Sequence, residues 1–301
     1  MSQPNGPGGA RILDRGYRRY DGPRTGMGGA VGTVVLNTVQ RVLGIRRSVW
    51  AKVLPVLMIL VSYIPAIVFI GIVALSPDKG LRRGGFGQID QLLPTYGSYF
   101  GYIVSAIILF VAFVAPEAIC TDRRTGMLGL YLASPLRRDS YLGAKAMAVG
   151  GVLCAVTVGP PLLLLVAYVL QGTGPSGPVS VLVAVLRIVV SGVAIGAFYT
   201  SLSLAAASLT DRKAFATAGL ILAFLVSNAA STVLIQAMGA SEDALGLSLV
   251  QLPLAFVEKV HGEAKGFQDV TSAVAIGAMV AWTVLFSVVA RSRYQRFQVT
   301  R

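Results

Sequence analysis

The chain has 301 residues, 54% hydrophobic and only 13% charged, with 26 Lys and Arg against 13 Asp and Glu and a net charge of +13. Soluble domains carry about 25% charged residues, so this composition, with a mean hydropathy of +0.71, excludes a soluble globular fold and places the chain in a membrane.

The first 28 residues have no apolar core, so no secretory signal is expected, and residues 1–30 read as a polar tail. Residues 31–48, "VGTVVLNTVQRVLGIRRS", put Val31, Val34, Val35, Val39 and Val42 on one helical face. Asn37, Gln40, Arg41, Gly44, Arg47 and Ser48 fall on the other. Two readings of 31–49 stand: an amphipathic helix lying at the membrane surface, with Trp50 marking the interface, or an extension of the first span.

Six runs then reach the roughly 20 residues that a helix needs to cross a bilayer core. They are 50–75, 96–117, 142–170, 179–208, 214–238 and 270–290, within a membrane domain spanning 50–290. "VLMILVSYIPAIVFIGIVAL" (56–75) does not alternate as a barrel strand would. A helix pairs its own backbone in lipid, so the fold class is all-α and polytopic, with Pro55, Pro65, Pro160 and Pro161 bending helices locally.

Basic residues set the orientation. Twenty of the 26 fall on the side that holds 1–52, the connection after the second span, Arg212–Lys213 and the tail 291–301. Five fall on the other side, and Arg187 lies inside the fourth span. By the positive-inside rule both termini are cytoplasmic, and the even number of spans agrees. Such scattered charge is a topology signature and an attraction to anionic lipid, not the aromatic-interleaved patch of a nucleic-acid binder.

The segment 117–141 is unusual for a polar loop. Thr121 or Asp122 is placed to cap a short helix through Arg123 and Arg124 to Leu132, crowded with Met127, Leu128, Leu130, Tyr131 and Leu132. Ser134–Pro135 ends it, Arg137, Arg138 and Asp139 precede the third span, and Lys145 sits in that span's first turns. An apolar and basic helix held between two spans reads as a docking knob. Within 239–269, "ALGLSLVQLPLAFVEKV" (244–260) is apolar but too short, and too interrupted by Pro253, to span. It reads as an extracellular re-entrant or interfacial piece.

The order Glu117, Arg123, Arg124, Gly126, Leu128, Leu130, Ser134, Pro135, Arg137, Arg138 and Lys145 resembles the coupling helix of the type-2 ABC transporter permeases, exporter subunits with six spans. The resemblance covers nearly the whole chain. The amphipathic helix is similar to that family's elbow helix, "GYRRYDGPRTG" (16–26) resembles a tail of some members, and the last loop matches a short re-entrant element. It implies a permease in a bacterial cell membrane that pairs with a second permease, identical or different, and with two copies of a separate ATPase. Glu117, Arg123, Arg124, Gly126, Leu128, Leu130, Ser134 and Pro135 would couple to that ATPase. The chain has no phosphate-binding loop of its own, since "NGPGGAR" lacks the Lys–Ser/Thr ending, so ATP and Mg would sit on the partner.

Catalytic constellations are thin. His261 is the only histidine, Cys120 and Cys154 read as packing residues, and no metal site or catalytic residue is expected. Carboxylates within spans are nearly absent, with Glu117 at an edge, which argues against a proton-coupled carrier. An ion-coupled carrier and a membrane scaffold remain the alternatives to an exporter of hydrophobic or amphipathic substrates. Arg187 is either a pathway or interhelix charge, or a lipid-facing Arg that snorkels. Asn228 and Gln236, in the most polar span, either face substrate, as the resemblance implies for the fifth span, or bond neighbouring helices. Gly192 and Gly196 form a G-x-x-x-G suited to close helix contact.

Overall fold

The computed structural model describes residues 26–45, 49–75, 94–127, 136–263 and 266–296. Every regular element among the described residues is helical, as a backbone that must satisfy itself in lipid requires. The α-helices are α1 (Gly26–Val42), α2 (Val49–Leu75), α3 (Tyr99–Phe113), α4 (Glu117–Arg124), α5 (Arg138–Thr157), α6 (Gly159–Leu170), α7 (Pro178–Leu209), α8 (Lys213–Gln236), α9 (Gln251–His261) and α10 (Ser272–Arg296). A 3-10 turn, Glu242–Leu247, precedes α9. Six stretches are long and apolar enough to cross a membrane: Lys52–Leu75, Tyr99–Arg124, Arg138–Leu170, Pro178–Leu209, Lys213–Gln236 and Ser272–Arg296. The chain is an all-α, multi-pass membrane protein.

Two spans are built from two helices each, and proline explains both joints. Pro116 has no N–H to offer, and Ala115 reaches back five residues to the Phe110 carbonyl. Glu117 to Arg124 then continues as α4, so the second span runs seven residues past its expected end. The Pro160–Pro161 pair bends the third span at Val158. In α2, Pro65 opens a gap that a side chain fills. The Tyr99 hydroxyl donates to the Ser62 carbonyl (2.6 Å) and accepts from the Ala66 N–H (3.1 Å), an inserted pair of bonds in place of one backbone bond.

The second span is the hub, with 67% of its apolar window buried against 22% for the first and 17% each for the fifth and sixth. Tyr99, Ile103, Ile107 and Val111, four residues apart, turn one continuous stripe inward. By contrast Leu222, Leu225 and Val226 of α8 are exposed, the surface left for lipid or another chain. The third and fourth spans touch through bare backbone. A Cβ on Gly192 would lie 2.4 Å from Val158 Cγ2, and the Thr157 hydroxyl donates to the Gly192 carbonyl at 2.9 Å. The G-x-x-x-G is a packing device.

Helix α1 packs its valine face on the bundle. Val34, Thr38 and Val42 are buried, with Val31, Val35 and Val39 against them. It begins five residues before the expected 31, and it contacts α5 and α4.

Between α8 and α10, the 3-10 turn and α9 lie among the spans, not across their ends. Asn228 and Trp282, which bond this element, sit roughly 12 and 15 Å along their helices from Gln236 and Ser272, at 1.5 Å per residue. Trp282 Nε1 donates to the Gly246 carbonyl (3.0 Å), and the Tyr199 hydroxyl donates to that of Leu249 (3.2 Å). Interrupted backbone at such depth is tolerated because protein surrounds it. Leu252, Ala255 and Val257 are at most 1% exposed.

Candidate functional site

The connection between the second and third spans leaves and re-enters the bundle beside a buried ionic cluster. Asp122, in the middle of α4, has no exposed surface. It takes a hydrogen bond from the Tyr141 hydroxyl (2.8 Å) and ion pairs with Lys145 (2.6 Å) and with Arg41 of α1. Lys145, 1% exposed, also donates to Thr38 Oγ1 (2.9 Å). Three elements thus share one carboxylate: the elbow-like α1, the end of the second span and the start of the third. The aliphatic stem of Lys145 lets a charge from α5 cross to α1 while its methylenes stay among apolar neighbours. Breaking a pair of this kind typically costs about 3–5 kcal/mol, because it strands a buried charge.

Around this centre the ends of other helices are tied in. Arg123 donates to the carbonyls of Ala207 (3.3 Å), Ser208 (2.9 Å) and Thr210 (3.2 Å) and pairs with Asp211. It therefore closes the negative end of α7, where a cation is favourable. Glu117 pairs with Lys213 at the start of α8 (2.7 Å). Asp139 pairs with Arg291 of α10 (3.0 Å), and Arg138 donates to the Gln295 carbonyl. We call this end of the bundle the basic face.

One expectation is corrected here. Thr121 and Asp122 do not cap a helix, because Pro116 starts α4 earlier and places both inside it; α4 ends at Arg124, followed by Gly126 at φ +69°. Asp122, near the end of the second span, joins Glu117 as a carboxylate at that span's edge. Of the residues expected to couple to an ATPase, Glu117 and Arg123 turn toward neighbouring helices, while Arg124 is exposed. Leu128, Leu130, Ser134 and Pro135 lie outside the described residues.

The pathway candidates separate. The Asn228 side-chain carbonyl accepts from Gln251 Nε2 (2.8 Å) and from the Ser248 hydroxyl (3.2 Å), and the Ser227 hydroxyl accepts from the Leu249 N–H (3.2 Å). These polar groups of α8 hold the buried element before α10. Gln236 is exposed at the end of α8. Arg187 donates to the His261 carbonyl at 2.8 Å, an interhelix contact at the negative end of α9.

At this opposite face, carboxylates serve backbone. Glu263 accepts from the N–H groups of Gly97 (3.0 Å) and Ser98 (3.1 Å) and from the Thr95 hydroxyl (2.5 Å), closing the start of α3. Glu258 accepts from Gly266 and Phe267, and Asp243 accepts from the Thr271 N–H (2.7 Å) just before α10. Burial pushes the His261 imidazole below its ordinary value. The Val257 carbonyl and Glu263 oppose that shift, and Arg187 adds to it. His261 is accordingly neutral at pH 7.

Cys120 is buried with its thiol 3.6 Å from the Thr210 carbonyl, and Cys154 packs where Gly196 lacks a side chain. Among the described residues no three His, Cys, Asp or Glu side chains are grouped to hold a metal ion. Sequence reading placed Lys145 in the right turn of the third span but not its pairing with Asp122. The available signal was two opposite charges near the ends of consecutive spans, where each would otherwise be stranded. No protein-family model and no curated protein matches the chain.

Proposed function

We propose that this chain is the membrane-spanning permease subunit of an ATP-driven ABC exporter, in a bacterial cell membrane with both termini cytoplasmic. It moves a hydrophobic or amphipathic substrate outward, alongside a second permease copy or partner, using ATP and Mg held by two separate ATPase chains. The observation that carries this reading is the ionic cluster at the flanks of segment 117–145. Asp122 before the coupling pattern and Lys145 after it are joined to each other and to Arg41 of α1.

The physical consequence is rigidity. A force applied by an ATPase to a loose loop would be absorbed by the loop. Here both flanks and α1 share one buried carboxylate, so displacement of the connection moves the second and third spans and α1 together. Arg123 and Glu117 extend that movement to α7 and α8.

The test is purification of the tagged full-length protein from its native membrane, in gentle detergent and in nanodiscs. An ATPase chain in equal copy number is expected, and Leu128→Asp with Leu130→Asp should release it while membrane insertion persists. Absence of an ATPase in both preparations overturns the proposal in favour of an ion-coupled carrier or a scaffold. Retained docking in the doubly substituted protein removes the coupling assignment.

A further inference from the structure

At the opposite face a cavity of ≈ 850 Å³ opens between the start of α3, the turn joining α6 to α7, the first half of α7 and the end of α9. Its wall is divided by chemistry. Val179, Val183 and Arg187 stand four residues apart, on one side of α7. Side chains on a helix lean toward its N-terminus, so the Arg187 side chain leans back along this wall toward Val183. Val179 and Val183 are 73% and 40% exposed, and Leu182 and Leu186 beside them are 58% and 54% exposed, so the cavity continues into an apolar strip on the outside of α7. Tyr96 and Tyr168, with ring centroids 6.2 Å apart, form another wall.

Among the described residues Arg187 is the one cation on the wall of this cavity. It spends one donor on the His261 carbonyl and has no carboxylate partner among the described residues. Glu263 also lines the cavity, but both of its oxygens are engaged at the start of α3. The planar guanidinium keeps further donors in a geometry suited to a phosphate or carboxylate. It sits roughly 14 Å along α7 from Pro178, at 1.5 Å per residue, within the apolar span.

We propose that this cavity binds the anionic head of an amphiphile, a phosphate or carboxylate held by Arg187, with the apolar tail lying along Val179, Val183 and Leu186. A cavity of this size accommodates a lipid head group. The exposed strip at its mouth favours a tethered tail over a free anion. The site stands on its own geometry and does not require the transport reading.

The test uses the full-length protein in nanodiscs and native mass spectrometry of the lipid it retains. Phosphatidylglycerol is the probe, diacylglycerol the uncharged control that lacks the phosphate and glycerol 1-phosphate the tail-less anion. The wild type should prefer phosphatidylglycerol to diacylglycerol by about tenfold, the discrimination one charge-assisted contact supplies. Arg187→Gln should remove that preference. Val183→Trp, which fills the cavity and leaves the guanidinium in place, should remove it too, and it carries the test where Arg187→Gln loosens α9. Equal retention of both lipids by the wild type, or undiminished preference in the Val183→Trp protein, overturns the proposal. Glycerol 1-phosphate binding as tightly as the lipid overturns the amphiphile assignment, leaving a free-anion site.

Discussion

On the basic face, Asp122, Glu117 and Asp139 each take a Lys or Arg side chain, whereas on the opposite face Glu263, Glu258 and Asp243 take backbone N–H groups. Among the cations, Lys145, Lys213 and Arg291 of the basic face meet carboxylates and Arg123 and Arg138 there also meet carbonyls, while Arg187 and Lys259 of the opposite face meet the carbonyls of His261 and Gln268. The difference follows from supply. Twenty basic residues crowd one side of the sequence and five the other, so an acid on the crowded side has a cation within reach. On the sparse side Glu263 and Asp243 find backbone N–H groups just before α3 and α10, and Glu258 finds those of the turn at Gly266 and Phe267. Side-chain ion pairs between spans resist relative movement, and capping contacts fix where a span begins.

The sharpest way to break this contrast is at its most buried point. Lys145→Met should destabilise the protein by about 2–3 kcal/mol, read as thermal unfolding in detergent, because buried Asp122 loses a charged partner and keeps only Arg41 and the Tyr141 hydroxyl. Asp122→Leu combined with Lys145→Met should recover much of that loss, since neither charge of the pair is then stranded. A double variant no more stable than Lys145→Met would show that the pair does not act as a unit.

Next in size is the opposite face. Glu263→Ala removes the acceptor for two N–H groups at the start of α3 and should cost about 1–2 kcal/mol, the range of a lost helix cap. Hydrogen exchange should rise over 95–103 and remain unchanged over 117–124. A rise in both segments would mean that the two faces are not independent.

A smaller effect sharpens the comparison through pH. The folded state resists protonation of His261, whose value lies below its ordinary 6.5. The unfolded chain therefore takes the proton first, and stability falls as pH drops below about 6.5 toward the folded value. After correction for intrinsic rates, amides of 251–263 should exchange faster at pH 5.5 than at pH 7.5. His261→Asn should lose that dependence; its persistence would assign it to another group.

The smallest effect is expected from the exposed member of the basic face. Asp139 and Arg291 are 55% and 61% exposed, so Arg291→Ala should change stability by no more than about 1 kcal/mol. A larger loss in the same unfolding assay would mean that this pair is screened less than its exposure implies.

Much of the architecture was legible before any coordinates. The six spans, the valine face of α1 and the failure of 244–260 to cross all follow from apolar run length and period, which report burial in lipid directly. Proline placed the bend in the third span. The helix ends were less legible. The second span continues through Pro116 to Arg124 because Ala118, Ile119 and Cys120 find buried surroundings, and "EAICTDRR" contains too many polar residues for a hydropathy window to include it. Asn228 was correctly marked as polar within a span, but its role waited on knowing that Gln251 folds back to meet it.

By itself, then, the sequence determined that this chain is helical, has six stretches long and apolar enough to cross a membrane and spreads its basic residues unevenly among the segments between them. Those properties are sums over many residues in one solvent, so composition and period suffice to set them. Only the tertiary structure decided that Arg41, Asp122 and Lys145 share one buried site, that Glu263 closes a helix 166 residues away and that Arg187 lines a cavity while donating to the His261 carbonyl. Each of those is a meeting of single side chains from separate helices. Its energy depends on distances of a few ångströms, which the relative placement of the spans sets and no local pattern encodes.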